Sequence, residues 1–129
     1  MTPIAHKALL VEDEPMCRMV LERHLRRAGF SQMVVAENGY EALNELPVDE
    51  MPSVIFTDLH MPDIDGVNLV SFLRQRSEFA KTPIVVVTTD SADSRDWAAD
   101  GFSDYLGKPV SYDKLEAVLI RLGLSVAHS

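Results

Sequence analysis

The sequence is poor in cysteine, in basic residues and in long apolar runs, and each shortage excludes a class of protein. Its single cysteine, Cys17, cannot form an internal disulfide and fits a small buried side chain better than a reactive thiol. The 12 Lys and Arg against 20 Asp and Glu give a net charge of −8, which argues against direct nucleic-acid binding. No apolar run approaches the roughly 20 residues that span a bilayer, and no signal peptide is recognisable. We therefore expect a cytoplasmic protein that does not contact a membrane.

What the sequence does contain is typical of one globular domain. The chain has 129 residues, of which 47% are apolar and 25% charged. We expect a single domain over 1–129, with its core at about 7–122 and a short tail at 124–129.

Five short apolar runs alternate with stretches of helical spacing. Three of the runs do not alternate with polar residues, which is typical of strands buried on both faces. Strands are predicted at 8–11, 33–36, 54–56, 84–87 and 103–106, the second and fifth being weaker and suited to sheet edges. Helices are predicted from Pro15 to just before Gly29, from the Asn38 capping signal onward, and at about 65–76, 92–100 and 112–122. This alternation predicts a parallel sheet with right-handed crossovers and helices on both faces.

Polar residues follow the strands at the points where the strands end. Ligands bind at the carboxyl ends of strands in open α/β sheets, near the point where strand order reverses. With the spatial order 2-1-3-4-5, one crevice would collect Glu12, Asp13, Asp58, Thr88 and Lys108. Each residue alone is commonly a helix cap or a solvated charge, but five at corresponding strand ends favour a functional site.

The predicted crevice has the chemistry of a phosphoryl-transfer site. Like charges about 4 Å apart repel by roughly 4 kcal/mol at an effective dielectric of 20, so three carboxylates require a proton or a cation. Oxygen ligands favour Mg²⁺ over zinc, which prefers His and Cys. Asp58 would be the nucleophile, and the Mg²⁺, the ammonium of Lys108 and the hydroxyl of Thr88 would hold the phosphoryl oxygens.

The sequence resembles the receiver domains of two-component response regulators. The resemblance spans about 7–122 and lies in LVEDEP at 10–15, TDLHMPDIDG at 57–66, Thr88, and DYLGKP at 104–109. It implies a flavodoxin-like, doubly wound α/β fold, in which a five-stranded parallel sheet of order 2-1-3-4-5 carries five helices on its two faces.

The resemblance also implies a role for each site residue. Asp58 would accept a phosphoryl group from a phosphohistidine of a sensor histidine kinase or a histidine phosphotransfer protein. Mg²⁺ would be bound by Asp13, Asp58 and the backbone carbonyl of His60, with Glu12 acting through water.

A second set of residues would respond to phosphorylation. Lys108 would pair with the acyl phosphate, Thr88 would bond to it, and Tyr105 would turn inward as Thr88 moves. The resemblance implies a cis Lys108-Pro109 bond as well. The readout surface for a downstream protein target would be the fourth helix, fifth strand and fifth helix.

Several interpretations stay open at this point. The chain is either a stand-alone switch, monomeric or dimerising on phosphorylation, or a receiver from a larger regulator or hybrid kinase. An aspartyl-phosphate phosphohydrolase is less favoured, because His60 stands where such enzymes usually carry an acid. His60, Thr89 and Asp90 are candidates for tuning the phosphorylation lifetime. Trp97 either anchors a partner or packs against the sheet.

Overall fold

Five strands and five helices alternate along the part of the chain that the structure describes, as the hydrophobic pattern predicts. The structure is a computed structural model and describes residues 6–45, 52–61 and 63–124. The strands are β1 His6–Val11, β2 Phe30–Ala36, β3 Val54–Asp58, β4 Ile84–Thr88 and β5 Asp104–Gly107. The helices are α1 Pro15–Arg27, α2 Gly39–Glu45, α3 Gly66–Gln75, α4 Trp97–Asp100 and α5 Tyr112–Arg121, and one 3₁₀ turn, Ser77–Phe79, precedes β4.

The strands form one parallel sheet of order β2-β1-β3-β4-β5. This confirms the flavodoxin-like fold class, and it places the two weaker strands, β2 and β5, at the edges as predicted. Strand order reverses between β1 and β3, where Val11 pairs with Thr57. The carboxyl ends of β1 and β3 therefore open a crevice at this point, which is where such folds bind ligands.

The sheet is covered on both faces because alternate strand residues point to opposite sides. In β1, Ala8 and Leu10 pack among the buried side chains of α1 and α5, whereas Leu9 and Val11 pack among those of α2, α3 and α4. All of these β1 residues are at most 2% exposed. The two apolar layers fix the register of the strands, and with it the positions of the polar residues that follow them.

Acidic side chains cap the first turns of the helices that follow the first three strands. Glu14 accepts hydrogen bonds from the backbone N–H groups at the start of α1, and Asp65 accepts one from Asn68 N at 2.8 Å in α3. Asp63 caps α2 from a distant part of the chain, since its carboxylate accepts from Gly39 N and Tyr40 N at 3.3 and 3.0 Å. Asp63 and Asp65 therefore both act as helix caps.

The predicted fourth helix is too long. Helical structure starts at Trp97 and not near residue 92, and the side chains of 91–96 are all exposed. A segment without an apolar face gains nothing from helix packing, so residues 91–96 form a loop. Ser91 makes hydrogen bonds within this loop, and Asp96 caps the start of α4.

Of the tail predicted at 124–129, residues 125–129 lie outside the described residues. Among the described residues, no helix is both long and apolar enough to cross a membrane.

The first residue of α3 lies against the strand that ends at Asp58. Gly66 donates its N–H to Leu59 O at 2.7 Å, and a Cβ on Gly66 would stand 2.6 Å from Asp58 O. The neighbouring atoms belong to the backbone and cannot rotate away. We predict that Gly66→Ala lowers the free energy of unfolding by about 1–3 kcal/mol, the usual cost of overpacking.

Urea unfolding measures this change. Ser71→Ala on the exposed side of the same helix is the matched control, and it should change stability by less than about 0.5 kcal/mol. Equal stability of Gly66→Ala and wild type would contradict the close approach.

Candidate functional site

Three carboxylates meet at the carboxyl ends of β1 and β3. Glu12, Asp13 and Asp58 each offer an oxygen, and these oxygens all lie within 4.8 Å of one another. Glu12 and Asp58 are buried, at 4% and 7% exposure, whereas Asp13 is exposed to solvent. The structure therefore brings together the acidic residues that the sequence assigned to one crevice.

Lys108 reaches the same crevice from the end of β5. Its ammonium Nζ lies 2.7 Å from Glu12 Oε1 and 3.5 Å from Asp58 Oδ2. The Lys108 N–H donates to Thr88 O at 2.9 Å, and the Lys108-Pro109 peptide bond is cis, as the resemblance implied. One ammonium faces three carboxylates, so the crevice keeps an excess of negative charge.

Burial and the neighbouring charges shift the pKa values of Glu12 and Lys108. Burial raises the pKa of Glu12 to about 7, and the hydrogen bond and charge of Asp58 add to this rise, while Lys108 opposes it. Burial on its own would lower the pKa of Lys108, but contact with Glu12 and the field of Asp58 raise it above its ordinary value. The crevice thus favours bound positive charge, either a proton on Glu12 or a cation.

The donor set fits Mg²⁺. The candidate ligands in the described residues are carboxylate oxygens, without a His or Cys side chain among them, which suits a hard cation better than zinc. The second oxygen of Glu12, Oε2, is buried and has no hydrogen-bond partner in the described structure. A buried oxygen of this kind is costly unless a cation or its water meets it.

Thr88 and Tyr105 are joined through the backbone of Asp90. The Thr88 hydroxyl is buried and accepts the N–H of Asp90 at 3.1 Å, which leaves its own proton free for another acceptor. The Tyr105 hydroxyl donates to the carbonyl of the same residue. The two residues expected to respond to phosphorylation therefore hold the same loop residue.

The side chains two positions past Asp58 and Thr88 contact each other. Nε2 of His60 lies 3.1 Å from Asp90 Oδ2, with the two side chains 68% and 37% exposed. The backbone N–H of His60 also donates to Asp58 Oδ1 at 3.4 Å. An exposed pair of this kind contributes little to stability. Its position beside Asp58 is therefore more informative about function than about folding.

Sequence reasoning missed the role of Arg18. Arg18 is partly buried and donates through Nη1 to Glu12 O at 2.9 Å, a contact that the sequence analysis did not predict. Its place one turn into α1, close behind the acidic pair, is the signal that indicates this contact. Cys17 is only partly buried, which is less than the sequence predicted, but burial and the contact with Glu14 raise the pKa of its thiol to about 11, as expected for an unreactive cysteine.

Trp97 packs inside the protein and is not an exposed anchor. It is 8% exposed and stacks on Tyr105 with ring centroids 5.7 Å apart. Of the two interpretations left open by the sequence, the packed one is correct.

Comparison with known proteins agrees with this fold and site. The family model described as response regulator receiver domain matches residues 8–120. A chemotaxis protein CheY1 of Helicobacter pylori is 34% identical over 119 residues, which cover 88% of this chain and 96% of that protein. The chain belongs to the response regulator receiver domain family.

Solved structures support the same assignment. The chemotaxis protein CheY4 of Vibrio cholerae superposes with a TM-score of 0.82 at 29% identity, covering 92% of this chain and 98% of that one. The receiver domain of the sensor histidine kinase PA1611 of Pseudomonas aeruginosa has a TM-score of 0.81 at 26% identity, with the same shares of the two chains covered. Its structure holds a magnesium ion in the active-site cleft. Receiver domains are signalling switches and not classical enzymes.

The raised pKa of Glu12 predicts a stability that depends on pH. Between about 4.5, the ordinary value, and about 7, the folded protein keeps a proton on Glu12 that the unfolded chain loses. The unfolding free energy should therefore fall as the pH rises through this range when no divalent cation is present.

Urea unfolding in EDTA at pH 5 to 7.5 tests this expectation. Wild type should lose stability relative to Glu12→Gln across the range, because the variant lacks the titrating group. Parallel stability curves for the two proteins would show that Glu12 titrates normally.

Proposed function

We propose that this chain is a phosphorylation-controlled switch in which Asp58 accepts a phosphoryl group in a Mg²⁺-dependent reaction. The observation that carries the proposal is the convergence of Asp58 with Glu12, Asp13 and Lys108. Residues 1–129 would form a single receiver domain acting in the cytoplasm. The phosphoryl donor would be a phosphohistidine of a sensor histidine kinase or a histidine phosphotransfer protein.

The contacts of the Asp58 carboxylate support its proposed role as the nucleophile. One of its oxygens accepts from His60 N, and the other lies 3.5 Å from the ammonium of Lys108. In the proposed step an oxygen–phosphorus bond forms on Asp58 while the phosphorus–nitrogen bond of the phosphohistidine breaks. The imidazole of the donor departs with the electron pair of the broken bond.

The chain supplies positive charge and a hydrogen-bond donor for the transferred group. Lys108 would shift from Glu12 towards the phosphoryl oxygens, and Thr88 would donate the proton that its contact with Asp90 leaves free. Asp13, Asp58 and the backbone carbonyl of His60 would hold the Mg²⁺, with Glu12 acting through water. When bound, this ion would neutralise charge that develops on the phosphoryl oxygens.

The energy available from these contacts suits a switch. A phosphoryl group adds about −1.5 to −2 units of charge and three acceptor oxygens. Inverting a 99:1 equilibrium requires about 5.5 kcal/mol of differential interaction. A few hydrogen bonds to charged groups, at about 1.5–3 kcal/mol each, are of that size. The response would reach a downstream protein through the face formed by α4, β5 and α5, where Tyr105 lies.

Acetyl phosphate tests the identity of the acceptor. Incubation with this small donor and Mg²⁺ should add one phosphoryl group, about 80 Da, to the intact mass. Asp58→Asn and addition of EDTA should each abolish the addition, because one removes the nucleophile and the other the ion. Asp63→Asn is the matched control: it changes an acidic residue of the same loop that caps α2, and it should still be labelled.

Two results would contradict the proposal. Labelling that persists in Asp58→Asn would place the acceptor elsewhere. Steady hydrolysis of diverse phosphate esters, without a labelled intermediate, would favour a phosphohydrolase.

Magnesium binding should also be visible as stabilisation. A ligand that binds only the folded state raises its stability by mass action, so the melting temperature of the wild type should rise with Mg²⁺ concentration. Asp13→Asn should remove most of this rise, because it deletes one of the clustered carboxylates. The exposed Asp93→Asn is the control and should respond as the wild type does. An equal rise in all three proteins would locate the ion outside the cluster.

A further inference from the structure

The loop between β4 and α4 is held by two aromatic side chains. Loop residues 89–96 follow Thr88 and contain no helix or strand. Tyr105 donates its hydroxyl proton to Asp90 O, and the indole Nε1 of Trp97 donates to Ala92 O at 3.0 Å. Two carbonyls of the loop, two residues apart, are therefore fixed by neighbouring rings.

The two rings form one packed unit. Trp97 and Tyr105 stack with centroids 5.7 Å apart and an angle of 29° between their planes. Phe102 meets the indole edge-on at 6.0 Å, and the guanidinium of Arg95 lies 5.7 Å from the indole centroid. Stacked and edge-on pairs contribute beyond the area that they bury. An outward movement of Tyr105 would break the stack and the bond to Asp90 together.

From these contacts, and resting on the function proposed above, we infer that Trp97 is a positioning residue for Thr88. It acts through the Tyr105 ring and the Ala92 carbonyl, which together hold the loop so that the Thr88 hydroxyl stays bonded to Asp90 N with its proton free for a phosphoryl oxygen. Without Trp97, the loop would have to be ordered when the phosphoryl group binds, and binding would be weaker.

Beryllofluoride, a stable mimic of the phosphoryl group, provides the test together with Mg²⁺. Backbone amide signals of the full chain, followed by ¹H–¹⁵N NMR, give the half-saturating concentration for wild type and variants alike. Trp97→Leu removes the stack and should raise that concentration between about twofold and tenfold, the range expected for one aromatic pair. Trp97→Phe keeps a ring on Tyr105 but loses the indole N–H that binds Ala92 O, so it should bind beryllofluoride more tightly than Trp97→Leu and more weakly than the wild type.

A double-mutant comparison separates positioning from mere stability. Because part of the effect of Trp97 passes through Tyr105, Trp97→Leu should raise the half-saturating concentration by a smaller factor in a Tyr105→Leu background than in the wild type. Phe79→Leu is the structural control: Phe79 is a buried aromatic residue of the same apolar layer, placed before β4 at the opposite end of the strand from Thr88. It should lower the melting temperature but leave the half-saturating concentration unchanged.

The wild type offers an independent signature, because Trp97 is the single tryptophan of the sequence. Its fluorescence should change on saturation with beryllofluoride and Mg²⁺, and it should not change with fluoride alone.

Three results would overturn the inference while leaving the proposed function intact. The half-saturating concentration could be unchanged in Trp97→Leu, or it could be lower than in the wild type. Alternatively, Trp97→Leu could raise it by the same factor in the Tyr105→Leu background as in the wild type. Failure of the wild type to bind beryllofluoride at all would overturn the proposed function, and this inference with it.

Discussion

Repulsion among three carboxylates at the ends of β1 and β3 is the constraint on which the site depends. Glu12 and Asp58 are buried, and Lys108 supplies one positive charge at 2.7 Å from the first and 3.5 Å from the second. Burial, together with the hydrogen bond and the charge of Asp58, raises the pKa of Glu12 to about 7, and the one ammonium of Lys108 offsets only part of this rise. A divalent cation would replace that proton, and a phosphoryl group would then meet Lys108 and the ion.

The fold tolerates this concentration of charge because it places the carboxylates at one edge of the sheet, where backbone groups and solvent can still contact them. Parallel strands end at one edge of the sheet, so their polar termini converge while their apolar lengths stay between two layers of helices. Neighbouring acidic residues have other partners: Glu14 and Asp65 cap α1 and α3, and Asp63 caps α2. Asp13 and Asp58, in contrast, meet Glu12 in the crevice.

The strands and most of the site residues follow from local patterns in the sequence, whereas the sheet order came from the resemblance to receiver domains. Uninterrupted apolar runs predicted strands covered on two faces, and residues such as Asp58 stand at the carboxyl ends of these strands. The fourth helix was predicted to start too early, because the first half of the predicted segment lacks an apolar face. Within α4 itself, only Trp97 is buried. The contact between His60 and Asp90 joins residues 30 positions apart, so no spacing in the sequence predicts it.

The shortness of α4 bears on how a signal would leave the site. A longer helix would order the residues after Thr88 through its own backbone bonds, but α4 spans only Trp97–Asp100. Here side chains from α4 and β5 perform that task, since the indole N–H and the Tyr105 hydroxyl each bind a loop carbonyl. Each of these bonds can break without unfolding a helix, so the loop can move at the expense of a few contacts. The proposed switch would thereby link the order of the site to Tyr105, at the face where α4, β5 and α5 meet.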